Sequence, residues 1–431
     1  MTYLKTLDYL FTQLPMYQRQ GTIAMKKDLT NIRVLMEALG NPHEKLRCIH
    51  VAGTNGKGTT CHLIAAALQA KGHTVGMYTS PHYQDFRERI KINGVFIPEE
   101  EVVRFVAWIR STELGIDPSF FEITVAMCFD YFARQAPDWC VIEVGLGGRL
   151  DSTNVITPVL SVITNIGLDH TQFLGDTLGA IAGEKAGIIK QAIPVVIGET
   201  QAETTPVFQR IASQQNADLY FADQEMILRP YWIRSADDYQ HFEVITPWGG
   251  KGKIATELAG PHTNKNLLTA LVALQRLPGV DLTFEQLSAG WQRVRELTYY
   301  IGRWQVLQAR KPLCLADSAH NAEGLLPVME RLKKYNRPLH IVLGVVSDKD
   351  LTKALPLFPE EAIYYFVKAN IPRGLPAEQL QETATTYGLK GDTYPSVSAG
   401  YAQAKLDARA HETTDGVVFV GGSIFTVAEV L

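Results

Sequence analysis

The sequence predicts an α/β protein in two domains, and three observations carry that reading. Apolar runs of strand length alternate with helical stretches through the first half of the chain. One of those runs turns through glycines directly into a helix. The alternation then stops, and restarts near residue 303. Alternation of this kind predicts parallel sheets covered on both faces by helices.

Taken in order, residues 2–14 and 28–39 have helical patterning, and Gly40-Asn41-Pro42 stops the second helix. The stretch between them, Leu14 to Gly21, is predicted as a loop. Strands are expected at 48–52, 74–79, 139–145, 159–164 and 193–197, where short apolar runs are bounded by turn residues. Helices are expected at 59–71, 99–111, 120–135 and 177–189, then at 263–276. Between 217 and 258 short alternating stretches such as Phe242-Glu-Val-Ile-Thr predict antiparallel strands attached to the first domain. The second domain is expected to hold strands at 304–308, 313–316, 339–345, 363–367 and 416–420 and helices at 322–334, 349–356, 376–387 and 397–409. The break falls at Glu296–Gly302, giving domains of 1–298 and 299–431. Ligands of open α/β sheets bind at the carboxyl ends of strands, so the cleft is expected where the two domains face each other.

A chain of 431 residues exceeds one ordinary core, which agrees with two domains. Its 46% hydrophobic and 20% charged content is that of a folded soluble protein. Lys+Arg 41 against Asp+Glu 45 gives a net charge of -4 with no basic stripe, which argues against a nucleic-acid partner. The five cysteines, Cys48, Cys61, Cys128, Cys140 and Cys314, lie far apart with no C-x-x-C pair. They are expected as reduced core residues of a cytoplasmic protein, and no zinc site is expected. Met1 to Leu14 carries Lys5 and Asp8 and lacks a long apolar core, so neither a signal peptide nor a membrane partner is expected.

The glycine turn reads Val51-Ala-Gly-Thr-Asn-Gly-Lys-Gly-Thr-Thr60. A strand that turns sharply into a helix aims several backbone N–H groups and the positive end of the helix dipole at one point. Lys57 adds a cation, and Thr59 and Thr60 add hydroxyls suited to Mg²⁺. Together these make a cradle for a nucleotide triphosphate. Gly58 stands where the strict phosphate-loop pattern wants Ser or Thr after the lysine, and a bare glycine turn is the competing reading.

Other chemistry-bearing residues also stand at strand ends. Glu143 closes an apolar strand before Gly145-Leu-Gly-Gly-Arg149, and a carboxylate there needs a metal or a partner such as Arg149. His170 in Thr164-Asn-Ile-Gly-Leu-Asp169-His170 is a candidate metal ligand by its neutral imidazole. Ser80 in Tyr78-Thr-Ser-Pro-His82 is either a further hydroxyl ligand or a turn residue. Lys185 lies in a helix, where an exposed lysine is the ordinary reading. In the second domain Asp317 and His320 follow a strand, and Gly302-Arg303 offers a guanidinium to phosphates. Val420-Gly-Gly-Ser423 is one more glycine turn.

Read together and in order, these segments resemble the folylpolyglutamate synthase/dihydrofolate synthase family of the Mur ligase superfamily. The matching motifs are Gly53-Thr-Asn-Gly-Lys-Gly-Thr59, Thr79-Ser-Pro-His82 with Phe86-Arg-Glu-Arg-Ile90, and Phe120-Phe-Glu122. They continue with Glu143 to Asn154, Asp169-His170, Glu184-Lys-Ala-Gly-Ile188, Gly302-Arg303, Asp317 to Asn321 and Gly422-Ser423. The resemblance implies a P-loop-containing parallel-sheet ATPase domain followed by a smaller Rossmann-like glutamate-ligase domain. It implies an ATP-dependent amide ligase that joins L-glutamate to a reduced folate or to dihydropteroate.

On the same resemblance, Gly56, Lys57, Gly58 and Thr59 are expected to hold ATP phosphates, with Asn266, Arg303 and Asp317 as further ATP contacts. Ser80, Glu143 and His170 are expected to ligate Mg²⁺, and a monovalent cation is a further expected ligand. Lys57, Lys185 and His320 are the expected catalytic residues: Lys185 matches a lysine that the family uses in carbamylated form, and His320 would position phosphate or glutamate. Ser119, Phe120, Phe121 and Glu122, with Leu150, Asp151 and Ser152, match segments that line the pterin site of bifunctional members. A monomer is expected. Two positions depart from the family pattern: Ile301 stands where a proline is usual, and Trp304 replaces a smaller or phenyl side chain. Residues 198–260 match weakly and are assigned no chemistry. The rival readings are a ligase acting on UDP-linked cell-wall precursors, a kinase, and a non-catalytic nucleotide switch.

Overall fold

The computed structural model describes residues 1–15, 28–231, 239–247, 249–347, 349–410 and 415–431. Most of the loop expected at Leu14–Gly21 lies outside the described residues. The chain divides into two compact units, Met1–Tyr300 and Ile301–Leu431.

The first unit is built on an eight-stranded sheet: β1 (Cys48–Ala52), β2 (Val75–Tyr78), β3 (Ile90–Ile92), β4 (Val95–Phe96), β5 (Trp139–Glu143), β6 (Leu160–Ile163), β7 (Val195–Ile197) and β8 (Leu219–Phe221). Their spatial order is β4-β3-β2-β5-β1-β6-β7-β8. From β2 to β8 every neighbouring pair is parallel, and β3 and β4 extend the β2 edge antiparallel. The central strands are buried throughout because helices cover both faces.

Successive side chains of a strand point to opposite faces, and the core clusters around β1, β2 and β5 divide accordingly. Ile49, Val51, Val75, Met77, Trp139 and Val141 join the helices Lys57–Ala70 and Thr263–Gln275 and the side chain of Trp291. Cys48, Tyr78, Cys140 and Ile142 face the helices Phe120–Gln135, Glu99–Ser111, Tyr3–Thr12 and Thr30–Ala38. Trp291 is fully buried and satisfies its indole N–H on the Leu63 carbonyl at 3.0 Å. The expected antiparallel strands form a separate three-stranded sheet of β9 (Ile227–Tyr231), β10 (Gln240–Ile245) and β11 (Lys251–Thr256), in the order β11-β10-β9. Leu228, Phe242, Val244 and Ile254 of that sheet bury themselves in the same core as the Lys57–Ala70 helix.

The second unit holds a six-stranded sheet of β12 (Gln305–Gln308), β13 (Leu313–Asp317), β14 (Leu339–Leu343), β15 (Ile363–Phe366), β16 (Lys390–Thr393) and β17 (Val417–Gly421). The order is β12-β13-β17-β14-β15-β16, parallel except for β12. Helices Ala322–Lys333, Ala377–Thr385 and Val397–Arg409 lie where the periodicity predicts them.

Several expectations need correction. Residues 349–356 are turns that lead into a short 3-10 segment, Leu355–Leu357, since Pro356 lacks the N–H that a longer helix would need. The helix expected at 177–189 ends as an α-helix at Lys185 and tightens into a 3-10 turn over Ala186–Ile188. Strand β8 lies in the stretch expected to be antiparallel but pairs parallel with β7 in the main sheet, while strands β3, β4 and β16 and the helices Thr205–Gln214, Phe284–Trp291 and Val294–Thr298 have no counterpart in the sequence reading. All five cysteines are buried and unpaired in disulfides. Among the described residues no helix is long and apolar enough to cross a membrane.

Candidate active site

Parallel strands β2, β5, β1 and β6 are consecutive neighbours, so their carboxyl ends share one edge of the sheet. That edge gathers Ser80, Glu143, the Gly53–Gly56 loop and Thr164. The loop is tightly determined. Gly53 has φ +147°, and a Cβ there would fall 1.8 Å from Thr164 Oγ1. Gly56 has φ +82°, and its Cβ would fall 2.2 Å from Asn266 Oδ1. Only glycine adopts these angles and permits such close approach. Polar contacts from the segment after β6 hold the loop: Asn165 accepts from the Asn55 N–H through Oδ1 at 2.8 Å and from the Thr54 N–H through its carbonyl at 3.0 Å. Thr164 Oγ1 donates to the Asn55 carbonyl at 2.6 Å. The helix Lys57–Ala70 then starts with the unpaired N–H groups of its first turn facing out of the loop, as an anion cradle requires.

Lys57 Nζ folds back onto the loop carbonyls, 3.0 Å from Gly53 and 3.3 Å from Thr54. Gly58 explains its place in the motif. A Cβ there would sit 3.6 Å from Glu143 Oε1, so the glycine keeps the space beside that carboxylate open. Glu143 is 4% exposed and accepts the Ser80 backbone N–H at 2.9 Å. Arg149 is not its partner, since that guanidinium pairs with Glu184 at 2.8 Å. Lys185, read as exposed by the ordinary rule, is 3% exposed and donates to the Gly53 carbonyl at 3.0 Å. Burial, with the nearby charge of Lys57, lowers its pKa to about 7.

His170 follows β6 in a left-handed conformation, with its Nε2 3.8 Å from Asp169 Oδ2. Among the described residues no three His, Cys, Asp or Glu side chains gather as a metal-holding group, and the set Ser80, Glu143 and His170 contains two of those types. The fit to a hard divalent cation rests on the buried Glu143 carboxylate beside the open space at Gly58.

The two segments expected at the pterin site meet at Gly145. A Cβ there would lie 2.4 Å from Phe121 Cζ and 3.1 Å from Asp151 Oδ2. Ser119 and Glu122 form the capping box of the helix Phe120–Gln135, with Glu122 accepting from the Ser119 N–H at 2.7 Å and from its hydroxyl at 2.8 Å. Phe120 is buried against Phe11, 5.7 Å between ring centroids, with the Arg89 guanidinium 5.2 Å from its own. Asp151 accepts from Leu146 N, Thr153 N and Thr153 Oγ1, and burial still raises its pKa. Ser152 is buried and Leu150 is half-buried on the same turn.

In the second unit Asp317 ends β13 and accepts two backbone N–H groups at 2.8 Å, from Trp304 and from Ala319. Arg303 Nη1 stands 3.9 Å from its Oδ1. Trp304 is buried with φ +40°, and the Arg331 guanidinium lies 4.8 Å from its ring centroid. His320 sets Nδ1 at 3.1 Å from the Ser318 carbonyl.

Sequence reasoning missed Asn165, which sets the loop, and Tyr300, whose hydroxyl is 2.9 Å from Thr59 Oγ1. An asparagine directly after a strand end is a usable signal for the first. Nothing local marks the second. Two buried cations also went unassigned. Arg89 donates from Nε to His82 Nδ1 at 2.8 Å, and burial lowers the pKa of Lys91 to about 8.

Comparisons with known proteins identify the family. Residues 51–274 match the Mur ligase middle domain, and residues 302–423 match the Mur ligase, glutamate ligase domain. The chain is 32% identical over 420 residues to the dihydrofolate synthase/folylpolyglutamate synthase of Bacillus subtilis, covering 94% of each. It is 31% identical to the folylpolyglutamate synthase of Lacticaseibacillus casei, over 100% of this chain and 98% of that one. Among solved structures, Mycobacterium tuberculosis folylpolyglutamate synthase complexed with ADP superposes with a TM-score of 0.87 at 29% identity, covering 99% of this chain and 97% of that one. E. coli FolC in complex with DHPP and ADP gives a TM-score of 0.82 at 28% identity, covering 100% and 97%. With both Mur ligase domain models matched and these relatives covered over nearly their whole length, the chain belongs to the dihydrofolate synthase/folylpolyglutamate synthase family of Mur ligases.

Proposed function

We propose that this protein is an ATP-dependent ligase that joins the amine of L-glutamate to the γ-carboxylate of a reduced folate, and also to the carboxylate of dihydropteroate. The observation that carries the reading is the edge where Gly53, Gly56, Lys57, Gly58 and Glu143 converge, with Asn266 closing on Gly56. Relatives crystallised with ADP, and one with DHPP as well, support it.

A carboxylate does not condense with an amine near neutral pH unless its oxygen becomes a leaving group. The substrate carboxylate oxygen attacks the γ-phosphorus, ADP leaves, and an acyl phosphate forms. The neutral amine of glutamate then attacks the acyl carbon, loses its proton, and inorganic phosphate departs with the former carboxylate oxygen. Lys57 and the first-turn N–H groups stabilise charge on the transferring phosphoryl oxygens. When bound, Mg²⁺ neutralises phosphate charge. Glu143, Ser80 and His170 are the residues we assign to hold it. Gly56, Gly58, Thr59 and Asn266, with Arg303 and Asp317 in the second unit, are assigned to ATP. Ser119–Glu122 and Leu150–Ser152 are assigned to the pterin. Ser119, Glu122 and Asp151 already bond within their own turns, which fixes the shape of the wall the pterin would meet. His320 is assigned to position phosphate or glutamate. We take the protein to act as a cytoplasmic monomer.

The deciding assay offers ATP, Mg²⁺ and labelled glutamate to the purified protein, separately with dihydropteroate and with tetrahydrofolate. Incorporation into both is expected. Incorporation into one alone reduces the reading to a single activity, and incorporation into neither removes it.

A further inference from the structure

Thr59 is the third residue of the helix that begins at Lys57, and its hydroxyl lies 2.9 Å from the hydroxyl of Tyr300, the last residue of the first unit. Tyr300 is 6% exposed and is held from several sides. Its ring stands edge-on to His62, 5.0 Å between centroids at 70°. Its carbonyl accepts from Arg295 Nη1 at 3.2 Å.

The His62 ring is itself fixed. Its Nδ1 is 2.6 Å from Thr298 Oγ1, and Thr298 donates its single proton to the Val294 carbonyl at 2.6 Å. His62 must therefore be the donor through Nδ1–H, leaving Nε2 unprotonated in the neutral ring. Burial holds the ring in that neutral form. These contacts hold the ring in place with its hydroxyl beside Thr59.

We propose that Tyr300 is a positioning residue that accepts the proton of the Thr59 hydroxyl, so that a Thr59 lone pair faces the nucleotide-bound Mg²⁺. The reason is stoichiometric. A threonine hydroxyl has one proton and two lone pairs, and ligation of a cation through oxygen requires the proton to find an acceptor elsewhere. Tyr300 supplies that acceptor from a side chain clamped by its own neighbours. The neighbouring Thr60 cannot substitute, because its hydroxyl is buried without a protein partner. The inference rests on the ATP reading above and adds a residue that no motif in the sequence marks.

Tyr300→Phe keeps the ring against His62 and removes only the oxygen. Titration calorimetry with a non-hydrolysable ATP analogue, in Mg²⁺ and in EDTA, reads the effect without turnover. The variant is expected to bind the Mg²⁺ form about tenfold more weakly, the worth of one hydrogen bond, and the metal-free form as the parent does. Thr59→Val is expected to lose the same Mg²⁺-dependent part, and Tyr300→Phe on that background to add nothing. Equal weakening with and without Mg²⁺ would assign Tyr300 to packing alone and overturn the proposal. So would parent-like binding of the Mg²⁺ form, or losses that add in the double variant. The thermal midpoint of each variant checks that the fold is intact. Failure of the parent to ligate glutamate would defeat the functional reading instead, and that outcome is read in a separate assay.

Discussion

The Nζ atoms of Lys57 and Lys185 both lie 3.0 Å from the carbonyl oxygen of Gly53. Two amines thus converge on one acceptor at the first residue of the glycine loop. Coulomb repulsion adds to burial, and the more deeply buried Lys185 yields, with its pKa lowered to about 7.

That arrangement makes stability depend on pH. Between about 7 and the ordinary lysine value of 10.5, the unfolded chain holds a proton on Lys185 that the folded chain releases. The unfolded state binds more protons, so the stability contributed at this site rises as pH climbs through that window. Urea unfolding over a pH series should show a steeper rise for the parent than for Lys185→Met. Identical slopes would mean that the amine is not held neutral.

A neutral amine near pH 7 is also the form that reacts with CO₂. Its nitrogen attacks the carbon and sheds a proton, leaving a carbamate anion. Protein equilibrated with ¹³C-bicarbonate should give a carbamate resonance that Lys185→Arg lacks, because a guanidinium keeps its proton. Absence of the signal from the parent would leave Lys185 as a plain amine.

Lys57→Ala removes the cation of the cradle while leaving the loop backbone to Asn165 and Thr164. Glutamate incorporation should fall by about 10³-fold, the scale expected for a lost transition-state charge partner. Survival of near-parental turnover with an unchanged circular dichroism spectrum would remove Lys57 from the chemistry.

Gly56→Ala tests the closeness of Asn266. It combines an unfavourable φ with a contact 2.2 Å from Asn266 Oδ1. Gly40→Ala is the control, since Gly40 has a similar φ of +77° and nothing within 4 Å. Both should lose about 1–2 kcal/mol from backbone strain. Only Gly56→Ala should also weaken nucleotide binding, read by calorimetric titration.

Asp317→Asn separates shape from charge in the second unit. Each carboxylate oxygen accepts one buried N–H, and an amide offers a single acceptor oxygen. A loss of about 1–3 kcal/mol is expected in denaturant melts. Arg303→Ala should cost much less, because that side chain is 44% exposed and its ion pair is long.

Strong patterns were legible where a strand is buried on both faces: β1 occupies 48–52 as its apolar run predicts. The hairpin of β3 and β4 was overlooked although Asn93-Gly94, both with positive φ, is a strong hairpin signal between Ile90-Lys-Ile and Val95-Phe. Strand β16, Lys390-Gly-Asp-Thr393, lies at a sheet edge and has no apolar alternation, so nothing local marks it. At the site, Gly58 looked awkward as a motif and makes sense only beside Glu143, which is far away in sequence. The pairing of Lys185 with Gly53 spans 132 residues, a separation at which no spacing rule applies.

The small sheet of β9, β10 and β11 has a consequence for anyone who would pare this protein down. Phe242, Val244 and Ile254 belong to the same hydrophobic core as the helix that carries the glycine loop, and β11 packs on the helix Phe284–Trp291, which in turn packs on that helix. Excising that ribbon as dispensable decoration would wet Phe284–Trp291, the support on which the glycine-loop helix leans, and the damage would surface at the far end as a slack grip on phosphate.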